Sequence, residues 1–151
     1  MDQKKLKKIN YELVDTFLSA GKLSLELRRI GLKKKIKYDQ TPVTKGDLEV
    51  NKILTEKITN LTPEIPIVSE ESSQNKLNTK LKNFWLIDPI DGTYDYINNG
   101  DEFTLNAGLI INNKAIMGII YAPAKDRLFY SYGKDFSLSL IHISEPTRQK
   151  P

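Results

Sequence analysis

Two carboxylates stand three residues apart at the end of an apolar run, Trp85-Leu86-Ile87-Asp88-Pro89-Ile90-Asp91-Gly92-Thr93. Aspartate is a poor strand residue, so two of them closing one predicted strand need a reason. A hard divalent cation supplies one, because Mg²⁺ takes oxygen ligands in tight octahedral geometry and keeps several waters. Pro89 fixes its own φ and restricts Asp88 before it, so a turn here can aim both carboxylates and the Ile90 carbonyl at one point. Gly92 and Thr93 then offer backbone N–H groups at a predicted helix start, where phosphate binds well. A metal site beside a phosphate site suits metal-assisted phosphoryl chemistry. The same residues are also good turn chemistry, and on this run alone that reading stays open. A second apolar segment, Ile65-Pro66-Ile67-Val68, likewise runs into acid at Ser69-Glu70-Glu71. Two strands ending in carboxylates can line one crevice at the carboxyl ends of a sheet.

The elements that must position these residues are legible from periodicity. Leu6, Ile9, Leu13, Phe17, Ala20, Leu23, Leu27 and Ile30 recur at three- and four-residue spacing, which predicts a helix over 4–31 stopped by Gly31. Thr44 reads as the N-cap of a second helix over 45–60, with Asp47 completing a capping-box pattern and Leu48, Ile53, Leu54 and Ile58 inward. Pro63 and Pro66 end it before a strand at 66–68, and 72–82 reads as loop. A strand at 84–87, the Asp-rich turn and a short helix over 94–98 follow. Asn98-Asn99-Gly100-Asp101 is a turn. Three β-rich runs come next, 103–111, 115–121 and 127–132, the first two joined at Asn112-Asn113 as a hairpin. This order predicts a layered α/β or α+β sandwich.

Composition removes other classes. The chain has 151 residues, 39% hydrophobic and 28% charged, enough for one ordinary domain with a core. No stretch has the apolar length of a membrane span, and no apolar signal core follows Met-Asp-Gln-Lys-Lys. There is no cysteine, which excludes disulfides, thiolate metal sites and cysteine nucleophiles and fits a cytoplasmic protein. The net charge of +4 is concentrated early, at Lys4, Lys5, Lys7 and Lys8 and again from Arg28 to Lys37. Without interleaved aromatics or a known module, a solvated helix face and a basic linker is favoured over a nucleic-acid surface. Its modest field attracts phosphorylated small molecules.

Trp85-Leu86-Ile87-Asp88-Pro89-Ile90-Asp91-Gly92-Thr93, preceded by Val68-Ser69-Glu70-Glu71, resembles the inositol monophosphatase superfamily of Mg²⁺-dependent, lithium-sensitive phosphatases. Pro42-Val43-Thr44-Lys45-Gly46-Asp47, Ser69-Glu70-Glu71, Glu102-Phe103-Thr104-Leu105-Asn106 and Gly118 to Ala124 are similar to its CysQ-type 3′(2′),5′-bisphosphate nucleotidase branch. The resemblance implies the α-β-α-β-α sandwich of the inositol monophosphatase/fructose-1,6-bisphosphatase type, of which residues 1–137 form the N-terminal half. It implies removal of the 3′-phosphate of adenosine 3′,5′-bisphosphate to leave AMP, with two or three Mg²⁺ ions and inhibition by Li⁺. Glu70, Asp88 and Asp91 become metal ligands together with the Ile90 carbonyl, and Glu71 a partner behind them. Thr93 and Asp47 become the pair that orients and deprotonates the attacking water, with Glu70 also counted as catalytic. Gly92 and Thr93 become the phosphate-binding N–H groups. Each has a plainer reading: Asp47 as a charge favouring the helix dipole, Thr93 as an N-cap, Glu70 and Glu71 as a solvated pair. Ser69 replaces the glycine of inositol phosphatases, Tyr96 a usual phenylalanine, and Ala107-Gly108 bulkier residues.

From Leu138 to Arg148 the chain resembles a translated sequencing adapter, so 138–151 is expected to be foreign, and His142 is given no role. Members of the family carry a further half with a W-D-x-x-A-G block, so the 151-residue chain is expected to be poorly active. Two other functions compete: an inositol-monophosphate or sugar-phosphate phosphatase, and a non-catalytic basic nucleic-acid-binding fragment. Oligomeric state and peripheral membrane association are left open.

Overall fold

A computed structural model describes residues 1–31, 34–36, 42–69, 81–133 and 139–142. Helix α1 (Gln3–Ile30) begins at Asp2, whose carboxylate accepts the Lys5 backbone N–H at 2.8 Å. It stops at Gly31, whose φ of 105° a side chain would resist. Its apolar stripe is buried as the spacing predicts as far as Leu27, except Leu23, which is only half-buried. Ile30, expected inward, is 62% exposed, because the last turn projects past the core.

Strands β1 (Lys34–Ile36) and β2 (Pro42–Thr44) form a small antiparallel pair. β2 runs directly into α2 (Lys45–Leu61), where the predicted capping box forms between Thr44 and Asp47. The inward stripe of α2 is Asp47, Val50, Leu54 and Ile58. Leu48, expected inward, is instead exposed: the buried carboxylate of Asp47 takes the inward position, and the residue after it turns roughly 100° away.

The remaining strands form one sheet in the order β3 (Ile67–Ser69), β4 (Phe84–Asp91), β5 (Thr104–Ile111), β6 (Lys114–Ala122), β7 (Arg127–Tyr132) and β8 (Ser139–His142). β3 runs parallel to β4, and the other neighbours are antiparallel. Asn112 and Asn113, at φ of 51° and 63°, make the tight β5–β6 turn, whose left-handed backbone asparagine tolerates. β8 lies within the segment expected to be foreign. The predicted loop at 72–82 falls mostly outside the described residues.

Helices α1 and α2 cover one face of the sheet. Trp85, Ile87, Leu105, Leu109, Ile119 and Leu128 point into that layer and meet Leu13, Phe17, Leu54 and Ile58. Each such fully buried side chain stabilises by about 1.5–3 kcal/mol. Trp85 also donates its indole N–H to the buried Thr62 hydroxyl at 2.9 Å, so its polar edge is satisfied. No helix among the described residues is long and apolar enough to cross a membrane.

Candidate active site

The Asp-rich segment is not the simple turn that D-P-x-D-G suggests. β4 continues through it to Asp91, with a bulge. Asp88 pairs with Asn106 and Asp91 with Thr104, so three steps along β4 match two along β5. In a regular strand, residues three apart face opposite sides. Residues opposite each other across a ladder share a face, and Asn106 and Thr104, two apart, share one. The extra residue therefore brings Asp88 and Asp91 to the same face, the one the helices leave open. Pro89 sits inside the bulge, where a missing backbone donor costs no ladder bond.

The parallel pairing of β3 with β4 sets the C-terminal end of β3 beside the Asp88 end of β4. Ser69 lies beside Ile87, one residue before Asp88. Glu70 and Glu71 follow Ser69 in sequence and lie outside the described residues. The Ser69 hydroxyl donates to Asn51 Oδ1 of α2 and ties this strand end to that helix.

Asp47 is fully buried and each of its oxygens has a separate task. Oδ2 accepts the Thr44 backbone N–H at 3.0 Å and the Thr44 hydroxyl at 2.6 Å. Oδ1 accepts the Thr93 hydroxyl at 3.1 Å. The helix-start reading and the Thr–Asp pair are thus both present in one side chain. Thr93 is not an N-cap. Gly92 takes that position at φ 88°, and Thr93 opens α3 (Thr93–Ile97). Its hydroxyl also lies 3.3 Å from the Ile90 carbonyl, the longer of its two acceptor contacts. Gly92 is exposed and makes no side-chain cap, so the first N–H groups of α3 have no intrahelical acceptor.

Tyr96 packs behind this pair. Its buried hydroxyl donates to the Ser24 carbonyl of α1 at 2.6 Å. Burial, with the Asp47 carboxylate adding to it, pushes the phenol well above its ordinary range, so it remains a donor.

The structure therefore brings Asp88 and Asp91 together on one face and Thr93 onto Asp47. The donors are hard oxygens, the type Mg²⁺ takes. Among the described residues no group of three or more carboxylate, histidine or cysteine side chains is close enough to hold a metal ion. Asp88 and Asp91 supply two, and the third acid on offer, Glu70, is not described. Asn51, Thr104 and Asn106 were missed as site residues. Their signal was spacing: Thr44, Asp47 and Asn51 fall on one helical face, and Thr104 and Asn106 on one strand face. Asn106 Nδ2 donates to Thr104 Oγ1 at 3.0 Å, fixing both opposite the two aspartates.

Solved structures share this architecture. Staphylococcal inositol monophosphatase-1, crystallised as an inhibitory complex soaked in LiCl, matches with a TM-score of 0.78 at 17% identity, over 89% of this chain and 51% of its own. CysQ from Bacteroides thetaiotaomicron matches with a TM-score of 0.66 at 26% identity, over 91% of this chain and 49% of its own. The curated 3′(2′),5′-bisphosphate nucleotidase CysQ of Aggregatibacter actinomycetemcomitans is 41% identical over 99 residues, 64% of this chain and 37% of that protein. The chain thus matches about half of each of these solved relatives and little more than a third of the curated one. The sheet with its helix layer is the N-terminal part of their fold. A profile of the inositol monophosphatase family matches residues 2–146, and the chain belongs to that family.

Proposed function

We propose that this chain supplies the water-activating and metal-binding part of a Mg²⁺-dependent phosphomonoesterase that removes the 3′-phosphate of adenosine 3′,5′-bisphosphate to leave AMP. The observation that carries the reading is the Thr93 hydroxyl on Asp47 Oδ1 at 3.1 Å, beside two aspartates brought to one face by the bulge. The nucleotide is favoured over an inositol ester because the curated relatives at 35–41% identity are named bisphosphate nucleotidases.

Asp88, Asp91, the Ile90 carbonyl and Glu70 would hold two or three Mg²⁺ ions, and Li⁺ would compete for them. Bound Mg²⁺ supplies Lewis-acid charge that acidifies water and neutralises phosphate oxygens. Thr93 gives its proton to Asp47 and keeps oxygen lone pairs free to accept one from water. Asp47, out of solvent and held by Thr44, orients that hydroxyl and stabilises the proton shift toward it. Gly92 and Thr93 turn their backbone N–H groups to the phosphate. Phosphoryl transfer is mostly positioning and charge neutralisation, so no covalent nucleophile is needed.

Three measurements test this. Calorimetric titration should show Mg²⁺ binding that Asp91→Asn abolishes; unchanged binding in the variant overturns the ligand assignment. Phosphate release from adenosine 3′,5′-bisphosphate and inositol 1-phosphate, measured side by side on the chain and on a full-length relative, tests the substrate. The 151-residue chain should turn over far more slowly than the relative. Preference for the inositol ester overturns the nucleotide. Salt-sensitive binding of DNA or RNA, unaffected by Asp91→Asn, would instead indicate a non-catalytic role.

A further inference from the structure

Thr93 stands on a helix of five residues. A helix that short does not hold itself in water, so its position is imposed by neighbours. Two side chains impose it. Tyr96 lies three residues after Thr93, on the next turn of α3. Its hydroxyl is tied to the Ser24 carbonyl of α1, and its ring lies hard against Gly46 of α2. A Cβ on Gly46 would come within 2.2 Å of the Tyr96 hydroxyl oxygen, so the glycine just before Asp47 makes room for this contact. Arg28 of α1 closes the other end. Its guanidinium donates to the Gly100 carbonyl at 2.6 Å and to the Tyr96 carbonyl at 3.3 Å, placing a cation at the C-terminal end of α3.

The same guanidinium lies 5.0 Å from the Phe103 ring centre and 5.6 Å from that of Tyr96. The two rings meet edge to face at 4.8 Å. Phe103 in turn backs onto Gly92, where a Cβ would lie 3.4 Å from its Cα. Arg28, Tyr96 and Phe103 therefore form one packed unit that touches the residues immediately before Asp47 and Thr93.

We propose that Arg28 and Tyr96 are positioning residues that clamp α3 between α1 and α2 and so hold the Thr93 hydroxyl on Asp47. The clamp touches neither substrate nor metal. It deepens the phosphatase reading and rests on it for its purpose, but its geometry is independent of turnover.

A merely structural role would lower stability without touching the Thr93–Asp47 contact, so the readout is coupling. Thr93→Val removes the hydroxyl and keeps the shape. Its effect on the urea unfolding midpoint is measured in the wild-type chain, in Arg28→Met and in Tyr96→Leu. The clamp predicts that the Thr93→Val shift falls to about half or less in both backgrounds, because the contact is already loosened. An equal shift in all three backgrounds overturns it. If Arg28→Met does not fold, Arg28→Lys keeps the charge and loses the planar guanidinium against the Phe103 and Tyr96 rings, and the same comparison applies. The measurement needs no substrate and no metal. A chain that hydrolyses nothing leaves the clamp standing, and additive effects leave the phosphatase reading standing.

Discussion

Trp85 and Leu86 are neighbours in β4, yet they occupy different media. Trp85 is fully buried beneath α1 and α2, while Leu86 is 53% exposed on the other face of the same strand. The difference continues across the sheet. On the helix side, tryptophan, leucine and isoleucine interlock in a closed core. On the open side, Leu86, Asp88, Asn106, Gly108, Gly118 and Ile120 line a shallow concavity of about 330 Å³. Gly108 and Gly118 are direct partners there and lower its floor. One face supplies stability, and the other carries the carboxylates.

The largest expected effect tests that contrast directly. Trp85→Ala should cost about 3–5 kcal/mol, through the lost volume and the lost indole hydrogen bond to Thr62. Leu86→Ala should cost under about 1 kcal/mol, because water already reaches that side chain. Urea unfolding followed by circular dichroism measures both, and similar costs would break the division between the faces. An intermediate effect is expected at Asp47, which belongs to both sides as a buried group that serves the site. In Asp47→Asn the amide NH₂ either meets the donor-only Thr44 N–H or forces the Thr93 hydroxyl to accept instead of donate, and the charge is lost, so the loss should be about 1–3 kcal/mol. A smaller loss in the same unfolding assay would show that the carboxylate is not held as tightly as its three hydrogen bonds imply.

The smallest effect lies on the outside of the helix layer. Lys57 of α2 reaches Glu12 of α1 at 2.7 Å. Its hydrogen bond and charge hold the Glu12 carboxyl below its ordinary value of 4.5. A depressed folded value means that the contribution is fully present above that ordinary value and is lost as the pH falls through the folded one. The pair is partly solvated, so its worth should not exceed about 1 kcal/mol. Stability curves of the wild-type chain and of Lys57→Met should be offset at neutral pH and converge as the pH falls through the folded Glu12 value. A constant offset would mean that the lysine acts through its aliphatic stem.

Most of the helices and strands were legible because period and capping agreed. Thr44 with Asp47 marked the start of α2 to the residue, and Asn112-Asn113 marked the hairpin. Leu48 was misplaced because spacing alone cannot show that a carboxylate will claim the inward position. The Asp-rich segment was read as a turn because a bulge has no signature on one strand: it exists only relative to β5. The Thr93–Asp47 contact came from resemblance and was then found in the geometry. Arg28 was read only as part of a basic face, since its carbonyl and ring partners lie about 70 residues away in sequence.

The bulge in β4 has a consequence for how this chain can change. Side-chain direction along a strand is a matter of parity, and here an odd step is converted to an even one by a single surplus residue. Deleting Ile90 would shorten the protein by one amino acid and remove no carboxylate. It would still leave the two acids in sequence while cancelling the surplus that aligns them. Substitutions along this segment are thus graded in their effect, whereas a change of length is all or nothing. The spacing between the two acids thus decides which face they share, independently of their identity.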